Sequence, residues 1–259
     1  MAERDETRAI FALNGADVLT FLQGIVSNDV LRLAQGPGLV WAALLSPQGK
    51  YLADFLIARV EGVEGFLLDI HKDLAPATIR RLSMYKLRAD VKIAPSVLGV
   101  TRGLDTPPPH ALPDPRHPAL GWRAYGAATP AEAPAIDWPA IDWDAIRVEH
   151  VIPESLIELI PDDTYLLEAG FERLHGVDFR KGCYVGQEVT ARMKHKTELK
   201  KGLVRVAISG EAAPGTEITA DGKVAGTLFT RAGDHAIAHL RFDRATGEMQ
   251  AGKAVLRRD

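Results

Sequence analysis

A chain of 259 residues with 46% hydrophobic content can build one large domain or two modest ones, and its formal net charge of −3 argues against a general nucleic-acid binder. One cysteine excludes an intrachain disulfide framework and any metal site made from several cysteines of this chain, which points to a reducing compartment. No run of eighteen apolar residues could cross a membrane, and residues 1–7 are charged rather than signal-like, so a soluble, cytoplasmic protein without a membrane partner is expected.

Residues 8–13 read as a first strand, followed by a turn and helix cap at Asn14-Gly15-Ala16-Asp17. Val18, Phe21, Leu22 and Ile25 then recur at helical spacing, and Ser27-Asn28-Asp29 are placed to cap a second short helix. Apolar runs at 39–45 and 51–60 flank the turn Ser46-Pro47-Gln48-Gly49-Lys50 and predict a hairpin. A third strand is expected at 66–71. A helix should run from Asp73 to about Tyr85, with Leu74, Ile79, Leu82 and Met84 or Tyr85 on its apolar face. Residues 91–93 and 97–100 read as a further strand pair. This pattern predicts an α+β domain with a largely antiparallel sheet.

Residues 104–143 hold nine of the sixteen prolines and repeat Pro-Ala-Ile-Asp-Trp at 134–138 and 139–143. They read as an extended loop with a strand at 121–125 inside it. Trp138 and Trp143 would either pin that loop or stack on a flat ligand. Asp142 should cap a helix reaching about Val151, with Pro153 ending it. Apolar residues at 156–159 and 165–167 precede Glu168, which taken alone is an ordinary exposed acid.

The stretch 180–201 carries seven Lys or Arg against two Glu and holds the single thiol, Cys183. Gly182 and Gly186 allow a tight loop around it, and helix-favouring residues follow Gly186. Glu188 and Arg192 are spaced for a surface ion pair, with Val189 and Met193 on the opposite face. A helix N-terminus and the Lys181 ammonium would both favour a thiolate. The same residues also fit a buried, inert cysteine within a solvated basic face, and burial decides between the two. Short strands at 203–208, 217–220, 223–229, 235–241 and 254–257, split by Gly-rich turns, predict a small antiparallel barrel.

The string Lys181-Gly182-Cys183-Tyr184-x-Gly186-Gln187-Glu188-x-x-x-Arg192 resembles the signature of the YgfZ-type, folate-binding relatives of the glycine-cleavage T-protein, and every specified position is filled. Gly15-x-Asp17 through Phe21-Leu22-Gln23-Gly24 to Asn28-Asp29-Val30, the run Leu167-Glu168-Ala169-Gly170, and the C-terminal barrel are similar to the same superfamily. The resemblance implies a T-protein-like α+β fold, with mixed, largely antiparallel sheets around a central channel that takes tetrahydrofolate, and a small C-terminal β-barrel. The corresponding division is 1–103, 104–198 and 199–259.

By the same resemblance, the protein would assist assembly or repair of iron-sulfur clusters in client enzymes, tRNA-modifying enzymes among them. Its partners would be folate and client or cluster-carrier proteins. Cys183 would be nucleophile or temporary cluster ligand, Lys181 would lower its pKa, and Arg192 would pair with Glu188 to fix the loop. Asp54, Glu168, Tyr184, Gln187 and Glu188 are the candidate folate contacts, and no permanent metal is expected. Aminomethyltransferases of the superfamily carry two aspartates where this chain has Ala53-Asp54. That departure weighs against the alternative, a folate-dependent aminomethyl or other one-carbon transfer.

Overall fold

The computed structural model describes residues 2–127, 140–196 and 198–259. The chain divides into two compact units: one formed by 1–47, 52–141 and 174–187, the other by 48–51, 142–173 and 188–259. Both are assembled from non-contiguous segments, so they cut across linear boundaries at 103 and 198, and the Cys183 loop belongs with the N-terminal sheets.

Among the described residues the first unit is built on nine strands: β1 (Ala2–Arg4), β2 (Arg8–Asn14), β3 (Gly38–Leu45), β4 (Tyr51–Arg59), β5 (Phe66–His71), β6 (Lys92–Pro95), β7 (Leu98–Gly103), β8 (Leu112–Pro113) and β9 (Trp122–Ala127). They form a five-stranded sheet in the order β3-β4-β5-β2-β6 and a four-stranded sheet in the order β1-β7-β9-β8. The expected hairpin is β3-β4, and its strands are buried almost throughout, as in a sheet covered on both faces. Trp41, Phe55, Ile57, Leu68 and Ile70 make the core.

Short helices α1 (Val18–Gln23) and α2 (Ala75–Tyr85) complete the first part of the chain. Asp17 stands at the α1 N-cap but makes no side-chain cap bond; its Oδ2 accepts instead from Asp90 N at 2.8 Å. α2 begins two residues after the expected Asp73, with Pro76 in its first turn, where a missing N–H costs nothing.

Two expectations are corrected. Residues 91–93 and 97–100 do not pair with each other: β6 joins β2, with Ala12 opposite Ala94, whereas β7 lies between β1 and β9. The turn at Ser96-Val97 thus passes the chain from one sheet to the other. Ser27-Asn28-Asp29 precede a 3₁₀ turn (Leu31–Gln35), but Ser27 and Asn28 are buried and bonded elsewhere; Asp29 alone holds a backbone N–H of the turn, that of Leu31, at 3.1 Å.

An ion network joins the two sheets. Asp69 on β5 is fully buried; its Oδ1 accepts from Arg8 Nε at 2.6 Å, and its Oδ2 accepts from Tyr125 OH at 2.9 Å and Arg123 Nε at 3.2 Å. Burial alone would raise this carboxyl, but Arg123 and Arg8 overcome it and hold it at about 2. Asp114 is likewise buried and is held below the usual carboxylate range, with Arg116 outweighing the cost of burial.

In the second unit, α3 (Trp143–His150) is capped as expected, Asp142 Oδ1 accepting from Ala145 N at 2.8 Å. Trp143 is buried at its start, whereas Trp138 and the first copy of the pentapeptide lie outside the described residues. Arg147 of α3 pairs with buried Glu158, whose Oε1 accepts from Thr230 Oγ1 at 2.5 Å.

Thr230 belongs to the barrel, whose strands are β10 (Lys201–Ser209), β11 (Glu217–Ala220), β12 (Lys223–Ala232), β13 (His235–Arg241), β14 (Glu248–Ala251) and β15 (Ala254–Arg258). They close in the order β10-β13-β12-β11-β14-β15 around Leu228, Ile218, Met249 and Leu256. The sequence pattern does not predict β14, because Glu248-Met249-Gln250-Ala251 shows little apolar signal. A Cβ at Gly226 would come within 2.0 Å of His239 O, so the sharpest approach of two barrel strands needs a glycine.

Candidate functional site

The loop before α4 (Gln187–Lys196) carries the thiol, and Cys183 is exposed. The side chain is therefore not the buried small hydrophobe of the alternative reading. Gly182 and Gly186 adopt φ of 94° and 82°, values that side-chain-bearing residues rarely take, so the chain turns tightly on both sides of the sulfur.

The seat of this loop is the segment after α1. Ser27 Oγ donates to Gly176 O at 2.6 Å, and Ser27 O accepts from Asp178 N at 3.1 Å. Asn28 Nδ2 donates both to His175 O at 2.6 Å and to Trp41 O at 2.7 Å, so one buried amide ties the loop to the core strand β3. Gln23 Nε2 donates to Asp29 Oδ1 at 3.0 Å and to Lys181 O at 3.2 Å, while its Oε1 accepts from Val30 N at 3.0 Å. Gln23, Ser27 and Asn28, absent from the candidate residues, therefore position the thiol loop. In the sequence Ser27 and Asn28 show as part of a run of three polar residues after an apolar helix, and Gln23 and Asn28 fall in the stretch similar to the T-protein superfamily.

Lys181 is half-buried. Its Nζ donates to Gln23 O and lies 4.8 Å from the centre of the Tyr184 ring. Burial lowers its pKa to about 8, against the opposing pull of Asp29, Asp178 and Cys183. The cation expected to support a thiolate is thus fixed beside the loop and still largely protonated at neutral pH. Gln187 Oε1 accepts from Tyr184 N at 2.9 Å, locking the turn into α4.

Cys183, Lys181, Tyr184 and Gln187 are therefore brought together, and the remaining candidates are not. Among the described residues no hydrogen bond or ion pair joins Glu188 to Arg192; both are exposed on α4, where such a pair is worth only about 0.3–0.5 kcal/mol and water competes for it. The expected latch is replaced by the Gln23–Lys181 clamp. Asp54 is buried on β4, and its Oδ2 accepts from Trp41 Nε1 at 2.8 Å, so that oxygen is engaged inside the hairpin.

Glu168 lies in the second unit. Its Oε2 is 3.3 Å from Lys201 Nζ and 3.4 Å from His239 Nε2. It lines a cavity of about 90 Å³ with Glu158, Thr164, Phe229 and the Lys201 and His239 side chains. His239 sits in the alternating pattern of β13 and could not be told from any other strand residue. Among the described residues no group of three or more His, Cys, Asp or Glu gathers to hold a metal ion.

Comparison with known proteins agrees with this architecture. Residues 200–258 match the family model of the CAF17 C-terminal beta-barrel domain. The glycine cleavage system aminomethyltransferase T from Bartonella henselae superposes with a TM-score of 0.77, covering 98% of this chain and 83% of that one at 14% identity, so the fold is T-protein-like. The iron-sulfur cluster assembly factor IBA57 homologs, mitochondrial, of Mycosarcoma maydis and Neurospora crassa are 34% and 28% identical over 76% and 83% of this chain. The chain spans about half the length of these two fungal relatives, 54% and 55%. The mouse iron-sulfur cluster assembly factor IBA57, mitochondrial, is 30% identical over 95% of this chain and 79% of its own length. On that similarity, which extends over 95% of its length, the chain belongs to the IBA57 family of iron-sulfur cluster assembly factors.

Proposed function

We propose that this protein is a tetrahydrofolate-binding accessory factor of the YgfZ type, which assists assembly or repair of iron-sulfur clusters in client enzymes, tRNA-modifying enzymes among them. The observation that carries the reading is the exposed Cys183 on a loop held from beneath by Lys181, Gln23 and Asn28, in a chain whose relatives are named as cluster assembly factors. A stable cluster normally takes about four protein ligands, and one thiol cannot supply them. Cys183 would therefore share a cluster with ligands from a carrier or client and then release it. The Lys181 cation stands beside the loop, and the clamp keeps the sulfur presented outward.

Folate enters the proposal through the fold and Glu168. A carboxylate can accept from the paired N–H donors of a pterin edge, and Glu168 now faces Lys201 and His239 in that manner. The cavity beside it, about 90 Å³, is well below the roughly 300 Å³ of a small-molecule site, so it takes an edge of the pterin and not the whole cofactor. Aminomethyl transfer is disfavoured by Ala53 and by the engagement of Asp54 with Trp41.

The test is genetic and enzymatic. In a strain lacking this gene, wild-type protein should restore the activity of four-iron cluster enzymes, and Cys183→Ala should not. Full rescue by the alanine variant would remove the thiol from the mechanism.

A further inference from the structure

Residues 80–92 form a second basic stretch, independent of the thiol loop. They hold Arg80, Arg81, Lys86, Arg88 and Lys92 against one acid, Asp90, a local excess of four positive charges in a chain of net −3. Most arginines of the chain are engaged with carboxylates or carbonyls. Here, among the described residues, Arg80, Arg81, Arg88 and Lys92 have no hydrogen-bond or ion-pair partner for their side chains.

Among the described residues Asp90 forms no ion pair with them. Its Oδ2 accepts from Ala16 N at 3.1 Å, within a tie that also runs from Asp17 N to Asp90 O at 3.2 Å and from Asp90 N to Asp17 Oδ2 at 2.8 Å. Lys86 Nζ donates to Val91 O at 2.8 Å. The loop after α2 is thus pinned at both ends, against the Gly15 turn and against the start of β6.

Between the cations stand two apolar side chains that the fold leaves outside. Met84 is 60% exposed and Leu87 is 86% exposed, and Leu87 is held at a φ of 44°, a left-handed conformation unfavourable for a leucine. A mobile loop would relax such a residue; this one is fastened in place. The next element, β6, is the edge of its sheet, pairs only with β2 among the described residues, and is exposed at Lys92, Ala94 and Pro95.

We propose that α2, its following loop and the β6 edge form a docking platform for an acidic, amphipathic segment of a partner protein. Carboxylates of that segment would pair with Arg80, Arg88 and Lys92, its apolar side chains would cover Met84 and Leu87, and its backbone could extend along β6. A membrane suits the platform less well, because an interfacial anchor buries a continuous apolar face, and here Met84, Leu87 and Val97, the last just after β6, are separated along the chain by charged residues.

Selection of a random-peptide display library on the full-length protein tests this directly. Enriched peptides should combine Asp or Glu with large apolar residues, and binding should fall with added salt. Arg80→Glu with Arg88→Glu should weaken the selected peptides about tenfold, the scale of two exposed ion pairs, and Leu87→Ser should weaken them without loss of charge. These side chains are exposed, so unchanged melting temperatures will show that the variants fold. Enriched peptides without acids, or equal binding to the double variant, would overturn the proposal. So would salt-sensitive flotation on phosphatidylserine vesicles, lost in the double variant, with no acidic peptide selected. Because Cys183 takes no part, a Cys183→Ala protein should bind the peptides as the wild type does, whatever its effect on cluster enzymes.

Discussion

The ammonium of Lys181 hydrogen-bonds the backbone carbonyl of Gln23, 158 positions earlier in the chain, and Gln23 returns a bond to the carbonyl of Lys181. This reciprocal clasp places a half-buried cation two residues from an exposed thiol. The fold thereby binds the chemistry of the Cys183 loop to the position of a helix formed near the N-terminus.

Replacing Lys181 with Met should slow alkylation of Cys183 by iodoacetamide at neutral pH by about threefold, the scale of a charge interaction at an exposed site. The difference should shrink as pH rises through about 8, where Lys181 itself loses its proton, and should vanish well above that value. The stability dependence has a definite sign. Lys181 is lowered from 10.5 to about 8 in the folded protein, so the unfolded chain binds more protons between these values. Wild-type stability should therefore rise relative to Lys181→Met across that window. Equal alkylation rates in the two proteins throughout would show that the cation does not act on the thiol.

Asn28→Ala should release the loop without touching the sulfur. It removes one amide that serves two carbonyl acceptors, those of Trp41 and His175, and should cost about 1–3 kcal/mol, as a buried unsatisfied group does. Hydrogen exchange at 175–181 should accelerate more than exchange in the barrel. Uniform acceleration across the chain would mean that Asn28 supports the fold as a whole and not this loop.

What the sequence made legible is what is local. Gly182 and Gly186 had to turn the chain whatever packed around them, the helix after Gly186 followed from propensity, and Asp142 capped α3 with a carboxylate three residues from the amide it serves. Ser27 and Asn28 misled because a polar run before an apolar one has the same appearance whether it caps the next helix or receives a loop nearly 150 residues away. Residues 91–93 and 97–100 misled for a related reason. Two short apolar runs separated by a turn suggest a hairpin, and nothing local marks Ser96-Val97 as the point where the chain changes sheets. Glu188 and Arg192 had the right spacing, but exposure left them too little to gain from pairing.

Asp69→Asn should be among the most damaging conservative changes in the first unit. It leaves the buried guanidiniums of Arg8 and Arg123 short of their shared carboxylate, at a cost of about 3–5 kcal/mol in denaturant titration. Because the folded carboxyl is held at about 2 against 3.8 for the unfolded chain, its contribution is complete above the higher value and is lost as pH falls toward the lower. The variant should show no stability loss of this origin between pH 4 and 2, whereas the wild type should. Parallel acid profiles would assign the transition to other groups.

Glu168 supplies the sharpest test of the folate proposal, because its present partners predict how binding should respond to mutation. A pterin edge would have to share or displace Lys201 and His239 at the same carboxylate oxygen. Glu168→Gln keeps the shape but exchanges one acceptor for a donor, so tetrahydrofolate affinity measured by calorimetry should fall about tenfold or more, the loss expected for a charge-assisted hydrogen bond. His239→Ala removes a competitor for the carboxylate and should leave affinity unchanged or improve it. If Glu168→Gln binds tetrahydrofolate as tightly as the wild type, the pterin does not use this carboxylate. If His239→Ala weakens binding as much as Glu168→Gln does, the imidazole is a contact of the ligand and not its rival.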